Sequence, residues 1–133
     1  VFPVCSPAIA GQYSLTPADL ADYDILHCRD DPKDGWLSWN DWLAGVGARV
    51  AAPRGATFDN YPVVIQSALM GQGIALGWQR GLEHLIDTGQ LVRPLAAAMN
   101  LPRGLSVYSA APEAIDTNKQ RVIDWLHTEL VGA

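Results

Sequence analysis

Phe58-Asp59-Asn60-Tyr61-Pro62-Val63-Val64-Ile65-Gln66-Ser67-Ala68-Leu69-Met70, running on into Gly71-Gln72-Gly73-Ile74-Ala75-Leu76-Gly77, reads as a helix that turns directly into a strand. Asp59 or Asn60 supplies the cap, and Pro62 falls in the first turn, where its missing N–H costs nothing. The body from Val63 to Met70 is apolar on nearly all sides, which predicts a buried helix. Gly71-Gln72-Gly73 stops it, and Ile74 to Gly77 is a short apolar strand. Toward the C-terminus the reading continues as a helix over Gln79 to Asp87, with Gly89 as its left-handed cap, and a short strand over Gln90 to Leu95. After the Pro102-Arg103-Gly104 turn comes a strand over Leu105 to Ala110. Thr117-Asn118-Lys119-Gln120 then forms a capping box for a last helix lined on one face by Val122, Ile123, Leu126 and Leu130.

Toward the N-terminus, Pro53 to Thr57 is a loop leading into Phe58. Before it, Trp39, Trp42, Leu43 and Val46 recur at helical spacing over Leu37 to Val46, ended by Gly47. Arg29 to Gly35 is a charged turn, and Asp24 to Cys28 a strand. Thr16 caps a short helix over Pro17 to Tyr23, with Asp19 at the positive end of its dipole. Val1 to Pro7 is a Pro-punctuated strand. Strands alternating with helices predict an α/β fold on a largely parallel or mixed sheet.

Composition fits a folded domain. The chain has 133 residues, 49% hydrophobic and 17% charged, too apolar for a disordered segment. One domain is the default at this length. Lys and Arg number 9 against 14 Asp and Glu, a net charge of −5. These residues are thus poorly suited to grip DNA or anionic lipid, which requires clustered cations. Cys5 and Cys28 show no metal-ligand spacing, and two reduced thiols in a cytoplasmic protein are preferred over one bridge. No stretch is long and apolar enough for a membrane span. The chain opens on Val1 without a signal-peptide pattern, from which we expect sequence upstream.

Catalytic, metal and cofactor signals are missing from the pattern. Ser6 sits in Val-Cys-Ser-Pro-Ala, without the glycines of a nucleophile elbow, and His27, His84 and His127 are scattered. Asp30, Asp31 and Asp34 are better read as a solvated turn than a calcium loop, because Pro32 occupies a ligand position. Gly71, Gly73 and Gly77 precede or end a strand, so they form no dinucleotide or phosphate loop. The 5 tryptophans are a more informative feature. Trp36, Trp39 and Trp42 at three-residue intervals spread over too wide a helical face for one core. Either Trp39 and Trp42 are core with Trp36 covering the helix entry, or Trp36 and Trp78 line an aromatic ligand pocket suited to a quaternary ammonium or a flat apolar ligand.

Several segments, in their order and spacing, resemble the effector-binding domain of LysR-type transcriptional regulators over essentially the whole chain. They are Pro3-Val4-Cys5-Ser6-Pro7, Thr16-Pro17-Ala18-Asp19-Leu20, Ile25-Leu26-His27, and Trp39-x-x-Trp42-Leu43 with Gly47. Phe58-Asp59-Asn60-Tyr61 through Gly77 is the most specific of them. Gly89-x-Leu91-Val92-x-Pro94-Leu95 and Trp125-Leu126 complete the set.

The resemblance implies an α/β, periplasmic-binding-protein-like (type II) two-lobed domain, here one complete lobe and the C-terminal part of the other. Residues 1–104 would be the second lobe and residues 105–133 the segment returning to the first. The opening of that first lobe and a helix-turn-helix would lie upstream. A small effector would sit in the interlobe cleft and transmit a conformational change to the DNA-binding part, with no catalysis and no cofactor. By the same likeness the effector contacts would be Ser6, His27, Cys28, Trp36, Phe58, Asp59, Asn60, Tyr61 and Trp78. For Asp59 and Asn60 plain helix capping is the competing role, for Phe58 core packing, and for Cys28 an inert buried thiol. Trp36, Trp78, Tyr61 and Asp59 suggest a quaternary ammonium (choline-like) or other small polar metabolite. The remaining expectations are a cytoplasmic homo-oligomer that touches DNA only through upstream residues and no membrane. The competing readings are a periplasmic solute-binding protein of a transport system, which shares the fold, and a small α/β enzyme.

Overall fold

The structure is a computed structural model of the chain and describes residues 1–10, 14–29, 37–101 and 117–131. The expected strand over Leu105 to Ala110, the acidic turn at Asp30 to Gly35 and Trp36 lie outside the described residues. Two compact units are present, Val1–Leu101 and Pro102–Ala133.

In the first unit the strands are β1 (Phe2–Val4), β2 (Ile25–Cys28), β3 (Gly55–Phe58) and β4 (Ala75–Gly77). The helices are α1 (Trp39–Gly45), α2 (Tyr61–Leu69) and α3 (Gln79–Asp87). β1 pairs antiparallel with β4, Phe2 opposite Gly77, and β2 pairs parallel with β3, Ile25 opposite Gly55 and Cys28 opposite Phe58. The two ladders meet at a parallel bridge between Ile25 and Ile74. There the Leu26 N–H donates to the Ile74 carbonyl and the Ile74 N–H to the Asp24 carbonyl, each at 2.9 Å. β2, β3 and β4 therefore point the same way, with their carboxyl ends together.

Alternation along the strands sorts the core into two layers. Ile25, Ile74 and Leu76 pack on one face with Leu20, Trp39, Trp42 and Leu43; Leu26, Ala75, Phe2 and Val4 pack on the other with Val64, Ile65, Ala68 and Leu82. α1 covers the first face, α2 and α3 the second. Trp39 and Trp42 meet edge to face at 5.8 Å between ring centroids. Each satisfies its indole N–H on a backbone carbonyl, Trp39 on Leu26 at 3.0 Å and Trp42 on Val1 at 3.2 Å. These two tryptophans are core.

Several local expectations need correction. Residues 53–57, expected as a loop, include β3. Its Gly-Ala-Thr-Phe sequence is exposed along nearly its whole length, so no buried face marks it, and backbone pairing to β2 holds it. The strand expected over Gln90 to Leu95 shrinks to one bridge between Cys5 and Val92, because Pro94 has no N–H to extend it. Pro17 to Tyr23 narrows to a 3-10 turn at Asp19–Asp22. Thr16 acts there as donor, its N–H and its hydroxyl both reaching the Asp19 carboxylate at 2.7 Å. α2 buries one face only: Val64, Ile65, Ser67 and Ala68 are covered, whereas Val63 and Met70 are 47% and 66% exposed. It caps one side of a narrow sheet and meets solvent with the other.

Glycines act as expected at the helix ends, Gly47, Gly71 and Gly89 having φ near +70°. Gly73 is needed for another reason, since a Cβ there would collide with the Asp24 carbonyl where β4's approach crosses the start of β2.

The second unit is described by α4 (Thr117–Val131). Thr117 is itself helical, and Gln120 donates forward to the Asp124 carboxylate at 2.8 Å instead of closing a capping box. Ile123 and Leu126 are half-buried, while Val122 and Trp125 are 55% and 59% exposed. Among the described residues no helix is long and apolar enough to cross a membrane.

Candidate functional site

A cleft of about 760 Å³ opens in the first unit at the shared carboxyl ends of the strands. Ligands bind at this edge in open α/β sheets, because the strands stop there and the following helices begin. His27, Cys28 and Arg29 line it from the end of β2, Thr57 from β3 and Trp78 from just past β4. Ser38, Trp39 and Asn40 come from the start of α1, Tyr61 and Val64 from the first turn of α2, and Pro53 and Arg54 from the approach to β3.

Hydrogen bonds fix these walls to one another. The His27 imidazole donates through Nε2 to the Pro53 carbonyl at 3.1 Å, which places its proton on Nε2, since a carbonyl only accepts. Asn40 Oδ1 accepts from the Ala52 N–H at 3.0 Å, tying α1 to the chain that enters β3. Ser38 caps α1, its hydroxyl accepting from the Asp41 N–H at 3.1 Å and donating to the Asp41 carboxylate at 2.6 Å. Across the cleft, the Tyr61 hydroxyl accepts from the Trp78 backbone N–H at 3.1 Å, locking the start of α2 to the end of β4. Burial pushes the Tyr61 phenol up to about 12, so it stays neutral.

The parallel register explains which charged groups meet. Pairing of Cys28 with Phe58 makes Arg29 and Asp59 neighbours one step beyond the ladder, and they form an ion pair. Their backbones are linked as well, the Arg29 N–H donating to the Phe58 carbonyl at 2.7 Å. His27 and Thr57 are partners within the ladder. Among the described residues the cleft wall carries two guanidinium groups, Arg29 and Arg54, and no carboxylate.

Of the residues named from sequence, His27, Cys28, Tyr61 and Trp78 come together on this wall. Ser6 does not: it is buried, and its hydroxyl accepts from the Ala8 N–H at 3.2 Å in the turn after β1. Phe58 is half-buried against the second core layer. Asp59 is exposed and engaged by Arg29. Asn60 occupies the cap position of α2 with extended backbone, but its side chain makes no capping bond. Trp36 is outside the described residues. Sequence reasoning missed Arg54, Thr57, Asn40 and Ser38. The available signals were a lone cation ahead of a Gly-Ala-Thr-Phe run and a serine directly before the Trp39 helix.

The two cysteines are thiols. Cys5 is fully buried, and desolvation pushes it up to about 11; Cys28 is half-buried on the cleft wall. Among the described residues no three His, Cys, Asp or Glu side chains converge as a metal site would require.

Comparison with known proteins places this geometry. The family described as the LysR substrate binding domain matches residues 1–131. The glycine cleavage system transcriptional activator of Escherichia coli K12 is 34% identical over 96 residues, covering 71% of this chain and 30% of that protein. The HTH-type transcriptional activator AmpR of Citrobacter freundii is 29% identical over 99 residues, 74% of this chain and 33% of that protein. The chain thus spans about a third of the length of these curated relatives. Among solved structures, the AmpR effector binding domain from Citrobacter freundii superposes with a TM-score of 0.70 at 22% identity, covering 99% of this chain and 64% of that one. The effector domain of AmpR from Pseudomonas aeruginosa does so at 0.70 and 20%, covering 98% and 60%. The fold is that of the type II periplasmic-binding-protein-like α/β domains, and these relatives are transcriptional regulators, not enzymes. With a family match across nearly its whole length, the chain belongs to the LysR substrate-binding domain family.

Proposed function

We propose that the chain senses a small polar metabolite in the cleft and that occupancy biases the position of a DNA-binding segment elsewhere in the regulator. The observation that carries this reading is the wall itself. It brings His27, Cys28, Tyr61 and Trp78 together at the carboxyl edge of the sheet, with His27 held to the Pro53 carbonyl and the Tyr61 hydroxyl to the Trp78 backbone. In this reading residues 1–104 form the second lobe of the effector-binding domain and residues 105–133 return to the first. DNA is reached only through a helix-turn-helix outside this chain, as the HTH-type names of the relatives suggest. The acidic balance of −5 fits that division of labour. The regulator works in the cytoplasm as a homo-oligomer, and the domain holds its effector without transforming it.

A screen of metabolites by thermal stabilisation of the full-length protein tests this. A stabilising compound is expected to change the protein's footprint on its promoter. Trp78→Ala is expected to abolish the response while DNA binding survives. A full-length protein that binds no DNA, or a response indifferent to Trp78→Ala and His27→Ala, overturns the proposal.

A further inference from the structure

We infer that the effector carries a carboxylate, which Arg54 anchors and for which Asp59 competes at Arg29. This rests on the cleft being the effector site. The charges along the wall lead to it. Among the described residues both fixed charges that line the cleft are positive, and no carboxylate lines it. Arg54 is exposed and makes no ion pair with any described residue. Its planar fork matches the two oxygens of a carboxylate. The first turn of α2 also opens on the cleft through Tyr61 and Val64, adding the positive end of a nine-residue helix. Ser38 and Thr57 supply hydroxyls and Trp78 an aromatic wall, so a compact acid with a flat or apolar body fits the lining.

A quaternary ammonium fits less well. It would face Arg29, Arg54 and the helix terminus, and Asp59, the carboxylate that borders the site among the described residues, is engaged by Arg29. That ion pair is also what tunes the site. Arg29 and Asp59 are 67% and 76% exposed at their side chains, so the bond is screened and exchangeable. An incoming carboxylate can take Asp59's place on the guanidinium with no change in the number of ion pairs. Asp59 therefore weakens binding of an acid, whereas Arg54 strengthens it.

Protection of the Cys28 thiol from N-ethylmaleimide, read by mass spectrometry on the full-length protein, distinguishes these roles. Cys5, fully buried, serves as the unreactive internal standard. Benzoate, succinate and citrate are the probes, with benzamide, succinamide and choline as matched controls. At least one acid is expected to slow Cys28 labelling saturably, and the controls are expected not to. Arg54→Gln should raise the half-protecting concentration about tenfold, the worth of a charge-assisted hydrogen bond, and Arg54→Lys by less. Asp59→Asn should lower it, an outcome that loss of a merely structural ion pair would not give. Protection by choline, equal protection by acid and amide, or no protection by any acid overturns the inference. In the first two cases the cleft remains the effector site. A compound that changes the DNA footprint without touching Cys28 labelling overturns the site as well.

Discussion

Burial sets Cys5 and Tyr61 apart from their ordinary acidities, the thiol rising from 9.0 to about 11 and the phenol from 10.0 to about 12. Both groups are neutral when protonated, so desolvation favours the protonated form. Across the window between the ordinary and the raised values, the folded chain holds protons that the unfolded chain releases. Stability is therefore whole below about pH 9 and falls as pH rises through about 11 and then about 12. Denaturant midpoints are expected to stay level up to about pH 9 and decline beyond it, with Cys5→Ala flattening the first part of the decline. A midpoint that rises above pH 9 would contradict the assignment. At this scale the sequence was partly legible. His27, Cys28, Tyr61 and Trp78 stand where a strand ends or a helix begins, and such positions can be read from Gly, Pro and apolar runs. Arg54 and Thr57 were harder to read, because nothing in Gly-Ala-Thr-Phe announces the strand that Arg54 precedes and Thr57 belongs to.

Among the elements, β3 shows why pattern reading failed there. A strand betrays itself through the face it buries, and β3 buries almost none. What commits it is close backbone approach: a Cβ on Gly55 would overlap the Ile25 carbonyl. Gly55→Ala is accordingly expected to cost about 1–3 kcal/mol as the strands are forced apart. Gly81→Ala, in α3 with open space around it, is expected to be neutral or to stabilise by up to about 1 kcal/mol. Chemical denaturation of the two variants makes the comparison, and equal effects would remove the argument from backbone approach. α2 and α3 were legible to within a residue because caps, prolines and glycines punctuate them. The excess of apolar residues on α2 misled only about its outer face, since a helix over a narrow sheet has one side to bury.

Across the whole molecule, the order of motifs identified the domain family more firmly than any one residue did. The family match over residues 1–131 spans all of those motifs. The site was less readable than the fold, because its walls are assembled by register. Arg29 meets Asp59 only because Cys28 pairs with Phe58. One consequence concerns motion. Among the described strands β3 lies at an edge and is held by a single ladder, with Phe58 its one contact to a core layer, and it carries Thr57 while its approach carries Pro53 and Arg54. Detaching it sacrifices few apolar contacts, so it can open without global unfolding. Native-state hydrogen exchange should find Gly55 to Phe58 less protected than Phe2 to Val4. Equal protection would refute this. A ligand that spans β2 and the β3 approach would then act as a staple. Part of its affinity would go into suppressing the fluctuations of that edge, which converts a chemical concentration into mechanical stiffness.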